Sequence, residues 1–261
     1  MMKEKLDKAL ECFKKKDWNG AIDLFTSILE IEPNNAEIYN NLGLCYANLG
    51  DEEKAEKNYL KCIELNPSIP QCYINLVDIY YKQHRLGEGI NILSYAIDML
   101  PDDLIFRHYL ARFYIEDAKR DLAVDELEFI LDQQPENFDA YYDLARVYFD
   151  LGNYDSAIEN LENVLEFKQD NEWIYYYLAE AYQANDEIDK AISNFLKAIA
   201  TNNKFSIPYK KVAILFMARG DYEDAVEYLE DYMNFDIPEE EKTKVNALIA
   251  SIKKKIGANE E

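Results

Sequence analysis

Only two histidines, His84 and His108, are available for acid–base or metal chemistry, and they lie 24 residues apart. The four cysteines, Cys12, Cys45, Cys62 and Cys72, form no Cys-x-x-Cys pair and have no histidine at ligand spacing. Neither zinc binding nor dithiol chemistry is indicated, and the four read as buried, reduced thiols at helical positions. A glycine-rich phosphate loop, His-Glu-x-x-His and Gly-x-Ser-x-Gly are all missing from the sequence. With 51 acidic residues, adjacent carboxylates such as Glu52–Glu53 and Asp102–Asp103 are unavoidable. Placed in turns or first helical turns, they favour helix N-termini and surface charge. The expectation is a chain without catalytic residues, metal or cofactor.

Recognition chemistry is a different matter. Arg112 and Arg146 stand 34 residues apart in a chain of net charge −23. His108, Tyr142, Phe149, Trp173 and Tyr176 share the same helix face by spacing, with Tyr177 beside them. Arginine and aromatic side chains dominate binding hot spots, because each buries much area and keeps a charged or polar handle. Two arginines also suit bidentate capture of a carboxylate. These eight residues form the candidate partner-binding groove, for a peptide bearing an acidic group or a C-terminal carboxylate. The same residues also fit structural filling, with the arginines offsetting Asp139, Asp143 or Glu180 and the rings packing on neighbouring helices. Both readings stay open at this point.

The elements that must position them follow from a period of 34 residues. Pro33, Pro67, Pro101 and Pro135 mark it, and other columns continue it. One column reads Leu42, Leu76, Leu110, Leu144, Leu178 and Val212; four residues on comes Tyr46, Tyr80, Tyr114, Tyr148, Tyr182 and Phe216. A small column reads Ala21, Ala55, Gly89, Ala123, Ala157, Ala191 and Ala225. A large one reads Phe25, Tyr59, Leu93, Leu127, Leu161, Phe195 and Leu229. Internal repetition of this kind is the mark of a stacked array. Within a unit, Tyr39, Leu42, Gly43 and Tyr46 fall at i, i+3, i+4 and i+7, one helical stripe. Gly50 then suits the left-handed conformation past a helix end, and a second stripe runs through Ala55, Tyr59, Cys62 and Ile63. Each unit is two short helices, too small to bury both stripes alone, so the units stack on a shared core.

The pattern Tyr39-x-x-Leu42-Gly43-x-x-Tyr46, then Ala55, Tyr59, Cys62 and Pro67, resembles the tetratricopeptide repeat over residues 2–239. The expected organisation is seven repeats (2–35, 36–69, 70–103, 104–137, 138–171, 172–205, 206–239), a capping helix over 240–257 and a frayed tail over 258–261. The resemblance implies an all-α, right-handed superhelical solenoid of antiparallel helix pairs, first helices lining a concave groove. Repeat one carries Lys5, Lys8 and Cys12 where others hold aromatic or leucine residues, as suits an end. The closing proline gives way to Gln169 and Asn203 in repeats five and six, and to Ile237 in repeat seven. Asp236 and Glu239 have capping-box spacing. Val245, Leu248, Ile249, Ile252 and Ile256 form an apolar stripe, and Lys253, Lys254 and Lys255 read as its last turn.

Some tetratricopeptide domains clamp a C-terminal carboxylate with lysine, asparagine and arginine on successive helices. The windows Leu6, Leu10, Asn41, Gln71, Asn75 and His108, Arg112, Asp143, Trp173, Tyr177 lack those cations. The resemblance implies a non-catalytic interaction scaffold that holds a peptide segment or helix of a partner protein. A self-assembling structural protein and a regulatory subunit or small-peptide sensor are the other expectations. Net charge −23 opposes nucleic acid and anionic lipid, and suits basic segments on the acidic surface. Met1 to Lys16 has no uninterrupted apolar stretch and no run approaches a membrane span, so the expected location is cytoplasmic.

Overall fold

The computed structural model describes residues 2–167 and 171–259, side chains at 258 and 259 excepted. Among the described residues there are fifteen α-helices and no strand. Backbone contacts divide the chain into two compact units, one ending at Gln133 and the other beginning at Gln134. Position 169 lies outside the described residues, so the missing closing proline there is not visible.

The first unit holds α1 (Met2–Lys14), α2 (Trp18–Leu29), α3 (Ala36–Asn48), α4 (Glu52–Leu65), α5 (Pro70–Lys82), α6 (Leu86–Met99), α7 (Ile105–Glu116) and α8 (Arg120–Gln133). The second holds α9 (Phe138–Asp150), α10 (Tyr154–Phe167), α11 (Glu172–Ala184), α12 (Ile188–Thr201), α13 (Ile207–Arg219), α14 (Tyr222–Met233) and α15 (Glu239–Asn259). Within each unit, every helix packs on the next in sequence.

Local chemistry starts and stops these helices. Asn35, Asp51 and Asn137 accept hydrogen bonds from the backbone N–H groups of Ile38, Lys54 and Ala140, satisfying donors that a helix start leaves open. Each pair then turns on a left-handed residue in one column: Lys16, Gly50, His84, Ala118, Gly152, Asp186 and Gly220. Only three of the seven are glycine. The turn is therefore set by the helices that flank it, and glycine only lowers its cost. At the far end of a pair, the Tyr39, Tyr73 and Tyr209 hydroxyls donate to the carbonyls of Pro33, Pro67 and Asn203, at 3.1, 2.9 and 3.2 Å.

The core follows the columns. Phe25, Tyr59, Leu93, Leu127, Leu161, Phe195 and Leu229 are all within 2% of complete burial, and every alanine of the small column is fully buried. Burying one such large side chain is worth about 1.5–3 kcal/mol. A missing side chain on the facing first helix lets Tyr59 approach: a Cβ on Gly43 would stand 2.4 Å from its ring.

Three expectations need correction. Cys62 of α4 and Cys72 of α5 are joined as a disulfide, their Cα atoms 6.3 Å apart, where reduced thiols were expected. The turn through Pro67 and Pro70 lays the start of α5 beside the end of α4, so both buried sulfurs face one seam. Cys12 and Cys45 are free thiols, and burial pushes that of Cys45 up to about 11. Asp236 does not cap α15, because the helix begins at Glu239 directly after Pro238, two residues past Asp236. The same helix continues to Asn259, so Lys253, Lys254 and Lys255 precede its last turn, and 258–259 are helical in backbone; 260–261 lie outside the described residues. Val245, Ile249 and Ile252 of α15 are buried in the second unit's core, with Leu248 and Ile256 packed against it.

Candidate partner-binding groove

The second unit contains a cavity of about 240 Å³ between α9 and α11. Ala145, Arg146, Phe149 and Asp150 of α9 form one wall, Tyr176, Tyr177 and Glu180 of α11 the other, and Leu161 of α10 the floor. The helical period explains the set: Arg146, Phe149 and Asp150 are at i, i+3 and i+4, and Tyr176 and Tyr177 each lie one turn before Glu180, four and three residues back. The floor is apolar because Ala145 and Leu161 belong to the buried core.

Arg146 is the exposed cation at this cavity, with just over half of its side chain accessible. Its guanidinium lies 6.0 Å from the centre of the Tyr142 ring, on its own helix. Its ion pair with the largely buried Asp143 is long, 3.8 Å, beyond hydrogen-bond reach, and so holds the exposed arginine weakly. Tyr142 meets Tyr177 across the two helices with ring centres 5.7 Å apart, edge to face. Burial raises the Tyr142 phenol well above its ordinary value, and its hydrogen bond with Tyr177 adds to that. Burial likewise pushes the Tyr176 phenol up to about 12, with Glu180 and Tyr177 contributing. Both phenols are thus neutral hydrogen-bonding groups at any physiological pH.

Glu180 closes the wall. One carboxylate oxygen accepts from Lys211 of α13 at 3.0 Å, while the other is buried with no hydrogen-bond partner among the described residues. Trp173, 43% exposed, packs on Phe205 at 4.5 Å and stacks on Tyr177 at 6.1 Å. Tyr176 bridges from the cavity to Phe205 and to buried Phe195.

Of the eight residues expected from sequence, six lie in the second unit. Arg146, Phe149, Tyr176 and Tyr177 line the cavity, while Tyr142 and Trp173 adjoin it through Tyr177. His108 and Arg112 belong to α7 of the first unit. Arg112 is exposed, 5.8 Å from the centre of the Tyr81 ring of α5, and His108 is half-buried. Asp150, Leu161 and Phe205 were not anticipated, and Glu180, expected as a charge partner of the arginines, pairs with Lys211. Phe205 had a signal: Asn35, Ile69, Asp103, Asn137 and Asn171 hold its column in the preceding repeats, so an aromatic there is out of pattern. Among the described residues, no group of three or more His, Cys, Asp or Glu is placed to hold a metal ion. No helix among them is long and apolar enough to cross a membrane.

Comparison with known proteins agrees with this architecture. The TPR repeat family model matches residues 9–50 and 145–186, and two tetratricopeptide repeat models match 36–69 and 115–159. Together they span about half of the chain. A TPR repeat-containing protein of Methanocaldococcus jannaschii is 28% identical over an alignment of 134 positions, covering 39% of this chain and 24% of that one. The chain spans less than half the length of the curated relatives it matches. Among solved structures, the C-terminal part of a TPR repeat-containing protein from Cytophaga hutchinsonii has a TM-score of 0.77 at 19% identity, over 91% of this chain and 97% of that one. YrrB, described as a TPR protein with an unusual peptide-binding site, has a TM-score of 0.59 at 18% identity, over 70% of this chain and 95% of that one. Fifteen helices packed in consecutive pairs, the 34-residue columns and the three matching models together make this chain a member of the tetratricopeptide-repeat family.

Proposed function

We propose that this chain is a non-catalytic scaffold whose groove between α9 and α11 holds a peptide segment of a partner protein. The observation that carries the reading is the cavity itself: an apolar floor, aromatic walls and one loosely held arginine at its edge. An apolar side chain of the partner fills the space over Ala145 and Leu161, between Phe149 and Tyr176. Arg146 then meets an acidic side chain or C-terminal carboxylate, exchanging its long contact to Asp143 for a charge-assisted pair. Tyr142, Trp173 and Tyr177 supply flanking ring surface and phenol hydrogen bonds. The peptide-binding site named for YrrB lends the reading support by fold alone.

The test is capture of partners by the intact chain and by its Arg146→Ala/Tyr177→Ala variant, followed by titration of the captured protein's segments. Loss of at least tenfold in affinity for one segment, with unchanged helicity, supports the groove. Equal affinity of both forms for every segment rejects it. A mass that rises with concentration, and that these substitutions abolish, would assign the groove to a second copy of the chain instead.

A further inference from the structure

A second cavity in the same unit shares no lining residue with the first. It measures about 580 Å³ and lies between α10 and α12, the second helices of their pairs. Its lining includes Glu162, Leu165 and Glu166 of α10, Leu178 and Tyr182 of α11, and Asn194 of α12. Asn194 differs from its counterpart Asn160, buried one repeat earlier, in having an unused acceptor. It is only 5% exposed, and its amide Nδ2 donates to the carbonyl of Lys190 at 2.9 Å. Its Oδ1 is buried and accepts no hydrogen bond among the described residues. Leaving a buried acceptor unsatisfied costs about 1–3 kcal/mol. The same column reads Leu24, Asn58, Ile92, Glu126 and Asn160 before it, and Asn58 and Asn160 also donate to the carbonyl four residues back, so asparagine recurs there while leucine and isoleucine are equally compatible with the repeat.

The surroundings say what kind of donor belongs there. Tyr182 donates to Glu162 at 2.7 Å and so holds that carboxylate at the cavity wall. Glu166 is exposed on the same helix. Of the two lysines at the rim, Lys190 is already paired with Glu187 at 2.6 Å, and Lys197 lies 5.7 Å from the Tyr175 ring centre. With Lys190 committed, two carboxylates face one ammonium, and the cavity carries a surplus negative charge. Leu165 and Leu178 add an apolar strip of the kind that long cationic side chains lie along.

We propose that this cavity is a binding site for a lysine or arginine side chain of a partner protein, distinct from the α9–α11 groove. The cationic head donates an N–H to Asn194 Oδ1, its charge is met by Glu162 and Glu166, and its stem covers Leu165 and Leu178. The chain's net charge of −23 draws such a segment in.

An acetylated, amidated octapeptide of alternating lysine and alanine is a sufficient probe, with its glutamate counterpart as control. Nuclear magnetic resonance of the full chain reads the Asn194 side-chain amide during titration. The lysine peptide should shift that amide and the backbone signals of Glu162 and Leu165, and the glutamate peptide should not. Asn194→Leu should weaken binding at least fivefold while the midpoint of thermal unfolding stays level or rises, since the orphaned acceptor is gone. Glu162→Gln is the second variant, expected to weaken binding without touching the buried asparagine. An Asn194 amide unmoved by the lysine peptide means the cavity holds only water and overturns the proposal. So does undiminished binding by both variants, the mark of diffuse attraction to an acidic surface.

Discussion

The ring of Phe113 on α7 occupies the volume that a side chain on Gly89 of α6 would need. A Cβ built on Gly89 stands 2.0 Å from the Phe113 ring, and Phe113 is 1% exposed with no room to retreat. Glycine normally weakens a helix interior by about 1 kcal/mol relative to alanine. Here the larger ring in the next helix compensates for the smaller residue. Gly89→Ala should therefore lower stability by about 1–3 kcal/mol despite its better helix propensity. Urea denaturation with an unchanged slope would show it, and a rise in the midpoint would contradict the close approach.

The turn column makes an opposite pair of predictions. Ala118 holds a left-handed φ of 56°, and Gly152 holds 76° at the equivalent place. A Cβ in that region costs about 1–2 kcal/mol. Ala118→Gly should raise stability by about 0.5–1 kcal/mol, the loss of chain entropy taking back part of the gain. Gly152→Ala should lower it by about 1 kcal/mol. Paired thermal melts compare the two; the same sign for both would show that the turn backbone does not govern the outcome.

Acid should loosen the first unit at a definable place. Arg85 donates to both oxygens of Glu56, at 2.6 and 2.8 Å, and the Tyr80 hydroxyl donates to the same carboxylate at 3.0 Å. The hydrogen bonds from Arg85, more than any other contact, hold the Glu56 carboxyl below its ordinary range. A depressed folded value means the stabilisation is complete above the unfolded pKa, about 4.3. It is lost as pH falls through the folded value. Arg85→Met should lower stability at pH 7 and flatten its dependence on pH between about 5 and 3. An unchanged acid limb would remove Glu56 from the account.

The disulfide gives a prediction that a thiol count can settle. Cys62 and Cys72 are 10 residues apart, and closing so short a loop is worth about 2–3 kcal/mol in the chain-entropy account. The unfolded, non-reduced chain should show two titratable thiols, those of Cys12 and Cys45, and the reduced chain four. Reduction should lower the thermal midpoint of the wild type and leave a Cys62→Ala/Cys72→Ala variant unmoved. Four thiols before reduction would mean the bond is not formed in the chain as isolated.

The helix pairs were readable from sequence because one physical rule places them all. Burial of the Leu42, Ala21 and Phe25 columns repeats with the period, so a column that is apolar throughout must face the core. The cavity was harder, because its lining mixes two kinds of position. Arg146 and Tyr177 are variable along their columns and stood out by type. Leu161 and Ala145 are core residues in every repeat, and nothing in their identity shows that one face of them is open. The disulfide escaped because its evidence is spatial: Cys62 closes one pair and Cys72 opens the next, and only the folded turn at Pro67 sets them together. Asn194 was invisible for a third reason. An asparagine on a helix is ordinary, and its unpartnered oxygen shows only in the folded packing.

A left-handed residue returns every 34 positions, from Lys16 to Gly220, with four different side chains and glycine sharing the task. That constancy makes the chain divisible. Removing or duplicating one whole period returns every later helix to the same columns, and the joint falls at a turn that does not demand glycine. A slip of a single residue instead rotates the following helix by about 100° and carries its leucines off the seam. Gain and loss of entire repeats is therefore the change in length this array absorbs most easily, and any other length is met by loss of its core.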